Sequence, residues 1–213
     1  INYKGNGIGR NLFLVKNKFC RTFARLKRKS TYMAQNKFKG LGIALITPFK
    51  ADGSIDWEAL DRLVEYQLKG GADYLCIMGT TAETPTLTVQ EKRMLKERLV
   101  QRVAGRVPLL MGCGGNCTAS IVKELQENDW TGIDGVLSVC PFYNKPSQEG
   151  LYRHFTAIAQ ASPVNVVLYN VPGRTGVNMP AETTLRLARE NENIVAIKEA
   201  SGNITQMDDI IKN

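Results

Sequence analysis

From Gly42 onward the chain alternates between two hydrophobic rhythms. Apolar runs at 42–47, 74–78, 108–112, 135–139, 165–169 and 194–198 are short and bounded by turn residues. Runs of this kind read as strands buried on both faces. Helical spacing fills the gaps between them. Asp56 is placed to cap a helix starting at Trp57, with Leu60, Leu63, Val64 and Leu68 on one face and Gly70-Gly71 ending it. Thr88 and Glu91 form a predicted capping box ahead of Leu95, Leu99 and Val103. Thr118 or Asn116 opens a third helix that turns Ile121, Val122 and Leu125 inward. Leu151, Phe155, Ile158 and Ala159 mark a fourth. Pro180 suits the first turn of a fifth, which presents Leu185 and Ala188, and a sixth begins near Asn203.

The strand starts recur about every thirty residues, the length of one βα unit. Strict alternation makes the fold class α/β, as a closed barrel or an open doubly wound sheet. The even units favour the barrel. So does the lack of a nucleotide fingerprint: the glycines at 112, 114 and 115 lack the third glycine of GxGxxG, and no GxxxxGK[ST] occurs. The expected fold is a (β/α)8 TIM barrel, C-terminally truncated after about six βα units, because the full barrel takes about 250 residues. This partial barrel is the catalytic domain, residues 33–213. Expressed alone, such a chain is expected to have open sheet edges, poor solubility and negligible turnover.

Charge changes the picture only at the start of the chain. The formal net charge of the 213 residues is +8, but residues 1–32 carry nine of the 28 Lys/Arg and no acid, leaving 19 bases against 20 acids. The body therefore offers no basic face to a nucleic acid. The basic leader, 1–32, reads as an organelle transit segment, a nucleic-acid arm, or non-native or disordered sequence. The last is favoured, as read-through of upstream sequence, because the chain begins with Ile1 and Met33-Ala34-Gln35-Asn36-Lys37 resembles a start. The leader is too polar to span a membrane, and no secretory signal is evident. Five cysteines with no CxxC pair, three of them in strand-like runs, fit buried thiols of a reducing, cytoplasmic compartment. One histidine, His154, leaves a Cys/His metal site or a Ser-His-Asp triad without support, and His154 reads as structural.

The candidate chemistry lies at the ends of the apolar runs, where barrels place their active sites. The run at 194–197 ends on Lys198, followed by Glu199-Ala200-Ser201-Gly202. A lysine at the end of a buried strand loses solvation, so its neutral amine becomes available to attack a carbonyl and form a Schiff base. A lysine snorkelling at a strand end is the plainer alternative. Gly79-Thr80-Thr81 offers backbone and hydroxyl donors to a small carboxylate. Two further strand-end stretches follow, Pro141-Phe142-Tyr143-Asn144-Lys145-Pro146 and Tyr169-Asn170-Val171-Pro172-Gly173-Arg174-Thr175-Gly176.

Together these stretches resemble the dihydrodipicolinate synthases (4-hydroxy-tetrahydrodipicolinate synthases), within the N-acetylneuraminate lyase superfamily of class I aldolases. The resemblance runs without a gap from about Phe38 to Asn213. It implies that pyruvate condenses with L-aspartate-4-semialdehyde to 4-hydroxy-tetrahydrodipicolinate, in diaminopimelate and lysine biosynthesis. The resemblance further implies that no cofactor is used beyond a covalent lysine–pyruvate imine. Lys198 is then the Schiff-base lysine, and Tyr169 the proton donor and acceptor. Thr81 relays protons between Tyr169 and Tyr143, the tyrosine that enters a neighbouring subunit's site. Thr80 and Thr81 hold the pyruvate carboxylate, and Arg174 binds the carboxylate of the aldehyde. The family tetramer, a dimer of tight dimers, is the expected assembly, with no nucleic-acid or membrane partner and no metal. A sister aldolase, acting on N-acetylneuraminate or a 2-keto-3-deoxy-sugar acid, would keep Lys198 and Tyr169; Arg174 within Gly-Arg-Thr-Gly argues against it. Ala82 stands where the family usually has glycine, which suits any position of negative φ. Of the family's lysine-feedback positions only Asn116 matches, while Val89, Lys92, Ser120 and Phe142 depart, so feedback inhibition by lysine is not expected.

Overall fold

A computed structural model of the chain describes residues 12–15 and 37–213. Its strands are β1 (Leu12–Val15), β2 (Gly42–Ala44), β3 (Tyr74–Ile77), β4 (Leu109–Gly112), β5 (Gly135–Val139), β6 (Asn165–Asn170) and β7 (Ile194–Glu199). Its helices are α1 (Trp57–Lys69), α2 (Val89–Val103), α3 (Thr118–Glu127), α4 (Gln148–Ala161), α5 (Pro172–Thr175), α6 (Ala181–Glu190) and α7 (Ile204–Lys212). Among the described residues they form one sheet in the order β1-β7-β6-β5-β4-β3-β2. Strands β2 to β7 are parallel and adjacent in sequence order. A doubly wound sheet would reverse its strand order part-way along. The one-directional progression is that of a barrel wall, and it bears out the truncated TIM barrel. β1 was not expected. It lies within the 1–32 leader and pairs antiparallel with β7, Leu12 opposite Glu199 and Phe13 opposite Lys198. The rest of that leader, with Cys20, lies outside the described residues.

Two apolar layers follow from the alternation of side chains across each strand. The helix-side layer joins residues such as Leu75, Ile77, Leu109, Val136 and Leu168 to the inward faces of the helices. The interior layer holds Phe38, Tyr74, Cys76, Leu110, Val167 and Tyr169. Phe38 meets Tyr74 edge to face at 5.5 Å between ring centroids. Gly42 is required beside this pair, since a Cβ there would stand 2.0 Å from the Tyr74 ring. Each large side chain buried in full contributes about 1.5–3 kcal/mol. Both faces of the sheet thus add to stability, which explains the absence of polar alternation in the strand sequences.

The helix signals are realised with small changes. Asp56 accepts from the Ala59 N–H, and the Thr88–Glu91 capping box is complete. Cys117, not Asn116, precedes α3 as its cap residue, and Pro180 caps α6 from outside its first turn. The buried face of α6 is Thr183, Thr184 and Leu187, in place of the expected Leu185 and Ala188. The threonine hydroxyls make this possible, because Thr184 donates to the Pro180 carbonyl and Thr183 to Gln148. Among the described residues no helix is long and apolar enough to cross a membrane.

His154 is buried on α4, its Nδ1 at 2.8 Å from the Thr118 hydroxyl of α3. Burial lowers its pKa to about 4. The depressed value means that the unfolded chain binds a proton between about pH 6.5 and 4 while the folded chain does not. Stability from this group is therefore complete above about pH 6.5 and lost as the pH falls towards 4. Between pH 7.5 and 4.5 the loss is about 2–3 kcal/mol. Urea titrations of wild type and His154→Gln across that range are expected to differ by this amount; parallel profiles would contradict it.

Candidate active site

The site is built on two neighbouring strands. Tyr169 of β6 lies opposite Lys198 of β7, and Asn170 lies opposite Glu199. The pairing steps from Val166–Ile194 to Val167–Ala196, so β7 carries one extra residue, a bulge at Val195. Its effect can be followed in the layers. Ile194 packs on the helix side, Val195 and Ala196 both pack in the interior, and Ile197 returns to the helix side. In a regular strand Lys198, four residues after Ile194, would share its helix-side face. The bulge reverses the parity and turns Lys198 inward. There its Nζ stands 4.8 Å from the centroid of the Tyr169 ring.

Lys198 is 5% exposed. Burial lowers its pKa, the Cys76 thiol opposes this, and the Arg174 guanidinium adds to it. The opposing influence requires a thiolate, yet burial pushes Cys76 itself up to about 11. Near neutral pH Cys76 is uncharged, so the amine of Lys198 is lowered by burial and by Arg174 together. The Tyr169 phenol is raised by burial and pulled back by the neighbouring Thr80 hydroxyl and by Arg174. The pair thus combines a lysine biased towards its neutral form with a tyrosine that stays protonated, the two states needed to attack a carbonyl and to protonate its oxygen.

The other expected residues sit on strand-end segments. After β3, Met78 takes φ +52° and Gly79 leads into a 3-10 turn, Thr80–Ala82. A Cβ on Gly112 of the adjacent strand would stand 2.0 Å from the Met78 carbonyl oxygen, so this turn needs glycine beside it. Ala82 lies in the turn, buried, with its N–H donating to Gly79 and its carbonyl accepting from Thr47; it takes no positive φ. Thr80 and Thr81 are both solvent-exposed at the rim. Thr80, and not the expected Thr81, is the hydroxyl beside Tyr169. The 3-10 turn presents these consecutive side chains in different directions.

Arg174 stands exposed on α5, where Pro172 sets the first turn and Gly176, at φ +74°, ends it. Tyr143 lies at the surface of this chain. It is 88% exposed on the segment after β5, at φ +70°. Among the described residues no group of three or more His, Cys, Asp or Glu is arranged to hold a metal ion.

Sequence reasoning missed the polar cluster on the opposite face of the same strands. Glu199 and Asn170 are both fully buried. The Glu199 carboxylate accepts from Asn170 Nδ2 at 2.9 Å, from Gln206 Nε2 at 2.8 Å and from the Ser201 N–H at 2.7 Å. A glutamate and an asparagine ending adjacent apolar runs were the available signal. Cys76, a thiol in the lysine's own layer, was read only as a buried cysteine.

Comparison with known protein families matches residues 37–213 to the dihydrodipicolinate synthetase family. The chain belongs to that family. A 4-hydroxy-tetrahydrodipicolinate synthase of Phocaeicola vulgatus is 64% identical over 181 residues, covering 85% of this chain and 61% of the relative. One from Parabacteroides distasonis is 63% identical over the same length. The dihydrodipicolinate synthase structure from Thermotoga maritima aligns with a TM-score of 0.80 at 44% identity, over 83% of this chain and 60% of that one. Another neighbour, described as a monomeric dihydrodipicolinate synthase variant, aligns with a TM-score of 0.79. The chain spans about 60% of the length of the relatives it matches.

Proposed function

We propose that this chain supplies the lysine-bearing part of a Schiff-base lyase that condenses pyruvate with L-aspartate-4-semialdehyde to 4-hydroxy-tetrahydrodipicolinate, in diaminopimelate and lysine biosynthesis. The observation that carries the proposal is the buried Tyr169–Lys198 pair on the interior face of the barrel wall. Lys198 Nζ attacks the keto carbon of pyruvate; its oxygen leaves as water, with protons delivered through Tyr169 and Thr80. The resulting iminium withdraws electrons, so a methyl proton departs and an enamine forms. The enamine carbon bonds to the aldehyde carbon, whose oxygen becomes a hydroxyl. The amine of the second substrate then attacks the iminium carbon and displaces Lys198, closing the ring. No other cofactor is required by these steps.

Thr80 and Thr81, at the rim, suit the pyruvate carboxylate. Arg174, whose charge reaches both Tyr169 and Lys198, suits the carboxylate of the second substrate through a bidentate contact. Exposed Tyr143 is assigned to the site of a neighbouring subunit in a homo-oligomer. Free, buried cysteines at Cys76, Cys113 and Cys140 support a reducing, cytoplasmic setting.

The test uses these 213 residues joined to the part of the Phocaeicola vulgatus relative that they do not match. Arg174→Ala is expected to lower kcat/KM for aspartate-4-semialdehyde by at least about tenfold, the worth of a hydrogen bond to a charged group. Pyruvate trapping by borohydride should remain largely intact. Equal loss of both would place Arg174 in the pyruvate site. Turnover of a sugar acid with no use of the semialdehyde would replace the proposed activity with a sister one.

A further inference from the structure

We propose that Glu199 and Asn170 are positioning residues: a buried pair on the helix side of the sheet that holds the bulged register and so keeps Lys198 turned into the barrel. The inference rests on the lyase reading above for its functional meaning, but not for its geometry.

Register in a sheet is a choice between faces, since a slip of one residue exchanges them along the whole strand. The β6–β7 pair contains that slip already, at Val195. Beyond it, Lys198 faces inward and Glu199 faces the helices. Without it, Glu199 would face the barrel interior and Lys198 the helix-side layer. Hydrophobicity alone decides little here, because Val195, Ala196 and Ile197 are apolar on either face. The choice therefore falls to the polar residues.

Glu199 is satisfied on the helix side in detail. Its Oε2 accepts from Asn170 and Gln206, and its Oε1 accepts from the Ser201 N–H. All three contacts are donated to it, which is the pattern an acceptor-only carboxylate requires. Asn170 extends the cluster outward. Its Oδ1 accepts from the Met179 N–H at 3.0 Å, and its Nδ2 also donates to Asn178. Gln206 of α7 donates to the Met179 carbonyl at 3.1 Å and accepts from Asn178. Both backbone polar groups of Met179 are thus held by this cluster, and Met179 follows closely on the segment bearing Arg174. The same hydrogen bonds that set the face of Lys198 anchor the chain leaving Arg174. A cluster of this kind is costly to disturb, because any member left without its partner stays buried and unsatisfied.

Among the described residues, the charged and titratable groups on the interior side of Lys198 include Cys76 from β3, Tyr169 from β6 and Arg174 from α5. Glu199, on the other face, acts on Lys198 through the backbone and not as a counter-ion. Loss of the cluster would then show as a change in how deeply Lys198 is held. A merely structural role would lower stability and leave the titration of Lys198 unmoved.

The test again uses the joined chain and reads Lys198 in two ways. The first is competitive acetylation against pH, with the Lys198 peptide quantified by mass spectrometry, which needs no enzymatic activity. The second is the rate of pyruvate trapping by borohydride. Glu199→Gln puts an amide NH2 among donors. It is expected to raise the titration midpoint of Lys198 towards that of a solvated lysine. Trapping near neutral pH should fall in step with that shift and recover at higher pH. An unmoved midpoint in folded Glu199→Gln would overturn the proposal. Should that variant fail to fold, Gln206→Met removes one donor to Glu199 at similar volume and is judged by the same midpoint, a rise supporting the proposal and no change overturning it. Absence of trapping in the wild type, with the acetylation midpoint still shifting in the variant, would refute the lyase reading and leave the positioning role standing.

Discussion

Lys198→Ala is expected to abolish covalent capture of pyruvate and to lower turnover by about four orders of magnitude or more, the scale seen when a nucleophile is removed outright. The structure makes this a clean experiment. Lys198 is 5% exposed, and its charged form is disfavoured where it sits. Truncation removes a group that costs stability, so melting should occur at the wild-type temperature or above it, as at many functional residues. Borohydride reduction with pyruvate, followed by peptide mapping, should place the added mass on Lys198 in the joined wild-type chain and nowhere in the variant. Labelling that survives the substitution, or that maps to another lysine, would remove Lys198 from the mechanism.

Tyr169→Phe is expected to cost about 10²–10⁴ in turnover, the range for loss of a positioned general acid–base. Only the hydroxyl is deleted. The ring is buried in the interior layer beside Val167 and Ala196, and Phe fills the same place. The ring face under Lys198 also remains, so the lysine keeps its neighbour. Pyruvate trapping should therefore persist, at a reduced rate, while product formation nearly stops. Single-turnover measurements separate the two. Turnover within about threefold of wild type would assign the proton transfers elsewhere.

Much of this was legible in the residues. The six apolar runs from Gly42 onward coincide with β2 to β7 to within a few residues, because strands buried on both faces have no polar alternation to confuse their limits. Helix starts at Asp56 and Thr88 were legible because a capping side chain bonds only to backbone two or three residues away. Strand-end position also identified Lys198, Tyr169 and Arg174 as neighbours. The less legible parts depended on distant partners. The buried face of α6 could not be read at Thr183, whose hydroxyl is satisfied by Gln148, 35 positions away. Which of Thr80 and Thr81 approaches Tyr169 depended on the turn after β3.

The sequence by itself therefore determined the kinds of element, their order and the residues that could carry chemistry. These properties follow from local capping, from periodicity and from where each apolar run stops. Tertiary structure alone decided which face those residues occupy. Read as a regular strand, Ile194 to Lys198 places the lysine among the helices. The extra residue at Val195, set by pairing with β6, turns it into the barrel beside Tyr169. Strand parity is a property of two strands in register. One strand's pattern cannot contain it, and the buried contact between Glu199 and Asn170 that accompanies it joins residues 29 positions apart.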